Sequence, residues 1–227
     1  MTQGVSSPQG SWLTPDWDVE PNVHALSTLR GGGLSAQAYA SFNLAQHVGD
    51  DPEHVCANRT LLRAAAKLPS EPLWLEQVHG IHVVEHPGPA ALGVVQPRAD
   101  AAVAFEPGRV CVVMTADCLP VVFADRSGTR VGVAHAGWRG LVGGVLEATV
   151  AALQAKPDQL VAWLGPAIGP DAFEVGPEVR DAFIARDAAN ADAFVRNKAG
   201  RFQADLYRLA RRALARVGVH QVSGGGR

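Results

Sequence analysis

The chain has 227 residues, of which 47% are hydrophobic and 19% charged, with a formal net charge of −2. That balance can bury a sizeable core, and it excludes both a disordered chain and the strongly basic footprint of a nucleic-acid binder. The longest apolar runs, such as Val110-Cys111-Val112-Val113-Met114, have strand length, so no membrane span is expected.

Residues 1–15 lack a basic start followed by an apolar stretch, so no secretory leader is expected. Three cysteines are too few for a disulfide framework, which points to reduced thiols and a cytoplasmic protein. Along the chain, Asp51-Pro52-Glu53 reads as an N-cap with proline in the first turn, opening a helix to about residue 67. Short β-branched or aromatic runs bounded by turn residues predict strands at 73–78, 81–84, 101–105, 110–114, 119–124, 131–135 and 160–164. Several are apolar throughout, as in a sheet covered on both faces. Hairpins alternate with crossover helices, which predicts a mixed sheet. A second helix is expected over 140–156, closed by Pro157, and a third opens at Pro177 and carries Val179, Phe183 and Ile184. The fourth has Leu206, Leu209, Ala210, Ala213, Leu214 and Val217 at helical spacing, with Gly218 as its C-cap. No repeat or linker divides the chain, so a single α/β domain spanning 1–227 is expected.

The chemistry concentrates in Thr115-Ala116-Asp117-Cys118-Leu119-Pro120 and Ala134-His135-Ala136-Gly137-Trp138-Arg139-Gly140. Between them, Asp125-Arg126-Ser127-Gly128 reads as a hairpin turn. A turn centred on Arg126-Ser127 sets Cys118 opposite His135, and a one-residue shift sets His135 opposite Leu119. A cysteine beside a histidine fits inert packing, a nucleophilic thiolate or a metal-ligand pair. The glycine-rich flank entering a helix weakens the first, since amides at a helix N-terminus attract anions and thiolates. A metal needs a third ligand, and Gln77-Val78-His79-Gly80 offers His79, with His82 and His86 as rivals. Separations of 39 and 17 positions do not resemble the close pairs of structural zinc modules. Three ligands from separate strands leave a fourth position for water or substrate, the arrangement of a catalytic metal.

These segments resemble the laccase-domain (multicopper polyphenol oxidase-like) family, whose members are mostly described as purine nucleoside phosphorylases. Further matching segments, in the family's order, are Arg30-Gly31-Gly32-Gly33-Leu34-Ser35, Ser41-Phe42-Asn43-Leu44, Val48-Gly49-Asp50-Asp51, Asn58-Arg59, Ala99-Asp100-Ala101 and Gly165-Pro166-Ala167-Ile168-Gly169-Pro170. The resemblance implies a mixed-sheet α/β sandwich, related to a group once labelled cysteine hydrolases, with His79, Cys118 and His135 as zinc ligands and copper as the alternative metal. It implies phosphorolysis of adenosine, inosine and methylthioadenosine to free base and the ribose 1-phosphate, with adenosine deamination as a side activity. The expected partners are a purine nucleoside and phosphate, with no nucleic acid or membrane, in a monomer or weak homodimer. Two departures stand out. Asp171-Ala172-Phe173-Glu174-Val175-Gly176 replaces a segment in which the family often has two cysteines and a tyrosine. The sequence also closes on Ser223-Gly224-Gly225-Gly226-Arg227, where the family usually continues into a cysteine followed by an aromatic, arginine-rich tail. Read alone, that glycine run offers no side-chain contacts, which predicts a more open site and a raised KM.

Each further site residue has a functional and a plain reading. Arg30 and the glycines after it suggest a phosphate nest, or a surface arginine beside a turn. Asn43 and Gln77 suit ribose hydroxyls or the base, or serve as turn and strand-end amides. Asp117 suits general acid/base chemistry or support of Cys118. Arg139 suits phosphate binding or pairing with Asp117, or is a solvated helix-start charge. Trp138, Cys111 and Cys56 read as structural. The competing functions are a metal-free cysteine hydrolase or amidase, with Asp117 or Asp100 orienting His135; a copper oxidase of phenols; and a scaffold built on structural zinc.

Overall fold

A computed structural model describes residues 12–88 and 95–226; residues 1–11, most of the 1–15 stretch on which the leader reading rests, and the terminal Arg227 lie outside that range. The elements in order are β1 (Trp12–Leu13), β2 (Ser27–Thr28), α1 (Pro52–Ala65), β3 (Val83–Glu85), β4 (Ala101–Ala104), β5 (Leu119–Asp125), β6 (Val131–Ala136), α2 (Trp138–Gly143), α3 (Val145–Ala152), β7 (Leu160–Leu164), β8 (Glu174–Val175), α4 (Pro177–Arg186), β9 (Phe194–Arg196), β10 (Phe202–Ala204), α5 (Leu206–Arg216) and β11 (Gln221–Gly224). Six strands form one mixed sheet in the order β11-β7-β5-β6-β4-β3, parallel at its two edges and antiparallel in the middle. The expected mixed α/β architecture is present.

Side-chain alternation along these strands sorts the core into two faces. Ala101, Val103, Val121, Phe123, Ala134 and Ala162 pack with Leu146, Val150, Phe183, Leu209 and Leu214 of α3, α4 and α5. The alternate residues Ala102, Val122 and Val133 look the other way, onto Leu73, Leu75, Cys111 and Val113. Strands apolar on both sides are therefore explained: both faces of the sheet are buried. A further cluster of Phe42, Leu62, Trp74, Val112 and Met114 seats α1 on the outside of this second layer.

Three local expectations are corrected. Segments 73–78 and 110–114 are not sheet strands; isolated bridges join Leu73 to Cys111 and Glu76 to Arg98. They run as an extended cover over the sheet, and the Gln77 amide, bonding both the N–H and the carbonyl of Met114, takes over part of the work of a ladder. The expected 140–156 helix starts two residues earlier and breaks at Gly144, whose φ of +106° ends α2 and redirects the chain into α3. The terminal glycines make backbone contacts: Gly224 closes β11 at φ +77°, where a Cβ would strike the Leu164 carbonyl, and the Gly225 N–H donates to that oxygen. Cys56 is exposed on α1 rather than packed. By contrast, α1 begins as read, with the Asp51 carboxylate accepting from the Glu53 N–H. No helix among the described residues is long and apolar enough to cross a membrane.

Candidate metal centre

The β5–β6 hairpin carries two members of the cluster, and its register differs from the tight-turn reading. Asp125 is paired with Arg130, leaving a four-residue loop in which the Asp125 carboxylate accepts from Ser127, Thr129 and the Arg130 N–H. His135 therefore faces Pro120 rather than Cys118 or Leu119. The slip from the first expected register is two residues, and two is the side-chain period of a strand, so Cys118 stays on the same face as His135. Facing Cys118 in this register is Gly137, which has no side chain to intrude.

That vacancy holds the cluster open. A Cβ on Gly137 would lie 2.8 Å from Cys118 Sγ, 2.9 Å from His79 Cδ2 and 3.6 Å from His135 Nε2. His79 arrives from the cover layer, its ring 4.6 Å from that of His135 and its Nε2 3.8 Å from Cys118 Sγ. One ligand atom from each of His79, Cys118 and His135 lies within 4.8 Å of the other two. Two imidazoles and a thiol converging without a fourth protein donor among the described residues suit a borderline-soft cation such as zinc, and leave it an open position. The donor set fits the expected metal.

Asp100, completely buried, stands directly behind the pair. The β4–β6 register continues one step beyond Ala101–Ala134 to set Asp100 opposite His135, on the same face. Its carboxylate accepts from His135 Nδ1 at 2.8 Å and from the successive N–H groups of Val78 (3.2 Å), His79 (2.8 Å) and Gly80 (2.7 Å). Burial works against the charge, yet the bonds from His135, Gly80 and Val78 win and hold the carboxyl below the usual aspartate range. His135 is pushed down from the usual histidine value, mainly by burial. Burial and then the Asp117 and Asp100 carboxylates push the Cys118 thiol up.

The rival histidines do not join. His82 is exposed, and buried His86 turns Nδ1 to the Gly88 N–H. Asp117 is exposed beside Cys118, its carbonyl accepting from Ile168 and so drawing the 165–170 loop alongside the centre. Arg139 is exposed with its guanidinium 4.4 Å above the Trp138 ring, and among the described residues no ion pair joins it to Asp117. Trp138 packs at the edge of the main core, as expected. Burial pushes the Cys111 thiol up to about 12, so it is an inert core group. Arg30 and Asn43 are engaged with nearby residues, and Gln77 with the distant Met114. Arg30 donates twice to the Ala40 carbonyl. Asn43 makes a turn with Ala45 and donates to Asp50, and both ends of the Gln77 amide hold Met114. Buried Asn58 draws Leu34, Ser35, Ser41 and Asn43 together, which organises the glycine loop on α1.

The family model described as multi-copper polyphenol oxidoreductase laccase matches residues 24–227. The chain is 53% identical over 215 residues to a protein of Escherichia coli named purine nucleoside phosphorylase YfiH, covering 95% of this chain and 87% of that one. It is 54% identical over 217 residues, with the same coverage, to a purine nucleoside phosphorylase of Pseudomonas aeruginosa. The crystal structure of a Neisseria meningitidis protein superposes with a TM-score of 0.89 at 49% identity, covering 95% of this chain and 87% of that one.

Proposed function

This chain belongs to the multi-copper polyphenol oxidoreductase laccase family, and from that premise we propose that it is a zinc-dependent purine nucleoside phosphorylase acting on adenosine, inosine and methylthioadenosine. The observation that carries the reading is the open His79–Cys118–His135 donor set, in a chain more than half identical to proteins named for that activity. In phosphorolysis a phosphate oxygen forms a bond to the ribose C1′, the C1′–N bond to the base breaks, and the base leaves with a proton. His79, Cys118 and His135 would hold the zinc, which when bound supplies Lewis-acid polarisation of an oxygen or nitrogen of the substrate.

The chain's own groups divide the remaining work. Asp117, exposed next to Cys118, is assigned the proton transfer to the departing base. Arg139, two residues beyond Gly137, is assigned to phosphate, because no carboxylate neutralises it among the described residues. Arg30 is assigned to the rim of the phosphate path, with its two bonds to Ala40 fixing the guanidinium plane. Asn43 and Gln77 shape the nucleoside side of the site through the segments they brace. Deamination of adenosine, exchanging the exocyclic amine for an oxygen from water and releasing ammonia, belongs to the same reading as a side activity.

A metal-free cysteine hydrolase is the weaker reading on two counts. The thiol is pushed up rather than activated, and the histidine in contact with it is His79, whereas Asp100 orients His135.

The test is incubation with adenosine, with and without phosphate, followed by chromatography. Base release should depend on phosphate and yield ribose 1-phosphate. Arg139→Ala should raise the phosphate KM by about tenfold or more, on the scale of one lost charge-assisted hydrogen bond, without lowering metal content. Base release at equal rates without phosphate would mean hydrolysis instead, and would remove the roles given to both arginines.

A further inference from the structure

We propose that Asp100 is the positioning residue of the metal centre, fixing the tautomer of His135 and the backbone pose of His79 through one carboxylate. The proposal rests on the reading of His79, Cys118 and His135 as metal ligands.

The carboxylate bonds four N–H donors, three from the backbone and one from an imidazole. An acceptor surrounded by donors leaves His135 one role: Nδ1 carries the proton and Nε2 presents its lone pair. Nε2 is the atom that borders the space beside Gly137, where Cys118 Sγ and the His79 ring also meet. Asp100 thus selects the tautomer that ligates, as carboxylates behind metal-bound histidines generally do.

Its second action is on His79. This residue sits at φ +58°, in the left-handed region that residues other than glycine seldom occupy. Three consecutive N–H groups, from Val78 to Gly80, converge on the two Asp100 oxygens and hold the turn in that shape. The backbone of Asp100 is tied as well, its N–H donating to His82 and its carbonyl accepting from the His135 N–H. Movement of Asp100 therefore moves both histidines. Cys118, immediately before β5, is left as the ligand Asp100 does not bond.

The decisive comparison is Asp100→Asn against the unaltered protein. Asparagine keeps the size of the side chain but puts an NH2 against N–H donors. Zinc affinity is read by competition with a chromophoric chelator, alongside the metal-free melting temperature. The expected result is a roughly 10–100-fold weaker zinc affinity, the usual cost of losing such a support, in a protein that still melts cooperatively. Unchanged zinc affinity in Asp100→Asn would overturn the positioning role while leaving the metal reading intact. Failure of the unaltered protein to bind zinc or copper would overturn the metal reading itself, and this proposal with it. A second measurement requires no variant: 15N-edited spectra of the metal-free protein should show His135 protonated at Nδ1. A His135 protonated at Nε2 alone would contradict the proposal even if Asp100→Asn failed to fold.

Discussion

Gly137→Ala is expected to abolish metal binding and lower phosphorolysis by on the order of 100-fold or more, while leaving the protein folded. The added methyl would lie 2.8 Å from Cys118 Sγ and 2.9 Å from the His79 ring, closer than van der Waals contact allows. One or both ligands must swing away, and a ligand displaced by about an ångström can no longer share a cation with its partners. The backbone itself does not object, since φ −61° and ψ 157° are comfortable for alanine. The substitution therefore separates the space between the ligands from the ligands themselves, all three of which remain. Metal analysis of the purified variant and its circular dichroism spectrum check both halves. A Gly137→Ala protein with one zinc per chain and normal turnover would show that the convergence of these side chains does not matter to activity.

Phe123→Ala is expected to cost about 3–5 kcal/mol of stability. Phe123 is the largest fully buried side chain, central to β5 and packed on the helix-covered face. For a chain of this size that loss corresponds to a fall in melting temperature of roughly 6–20 °C, measured by calorimetry. Because Phe123 points away from the metal centre, zinc content per folded molecule should be unchanged. A fall below about 1 kcal/mol would mean that the core closes over the deletion and that this face is less tightly packed than described.

Much of the site was legible because its residues lie beside local signals. Cys118 and His135 flank one hairpin, and His79 ends an apolar run before a glycine. Even with the wrong loop length, the register error of two residues preserved the face, so the neighbourhood of the pair survived it. The loop length itself was hidden in Asp125, whose side chain bonds two loop residues and the closing Arg130 N–H and so favours four loop residues over two. The break at Gly144 and the cover role of segments 73–78 and 110–114 depend on which surface each run packs against, and β-branched composition does not carry that information. The sequence marks Asp100 within the matching segment Ala99-Asp100-Ala101 and as a possible orienter of a catalytic histidine. Its partnership with the 78–80 turn and with β6 is set by strand pairing across 35 positions. The available signal was a lone carboxylate at the head of the apolar run Ala101-Ala102-Val103-Ala104, since a charge that enters a core needs a partner there. Arg30, Asn43 and Gln77 were legible as polar groups next to turns. What they bond to depended on Asn58 and Met114, distant in sequence.

In the proposed function, His79, Cys118 and His135 hold a metal which phosphorolysis requires. That requirement is tested most directly by following one reaction, phosphate-dependent release of adenine from adenosine, through removal and return of the metal. Dialysis against a chelator should eliminate the activity. Titration with zinc should restore it linearly to a break at one zinc per chain, and Cys118→Ala should show neither the binding nor the recovery. Full phosphorolysis by protein stripped of metal, or by Cys118→Ala, would contradict the claim.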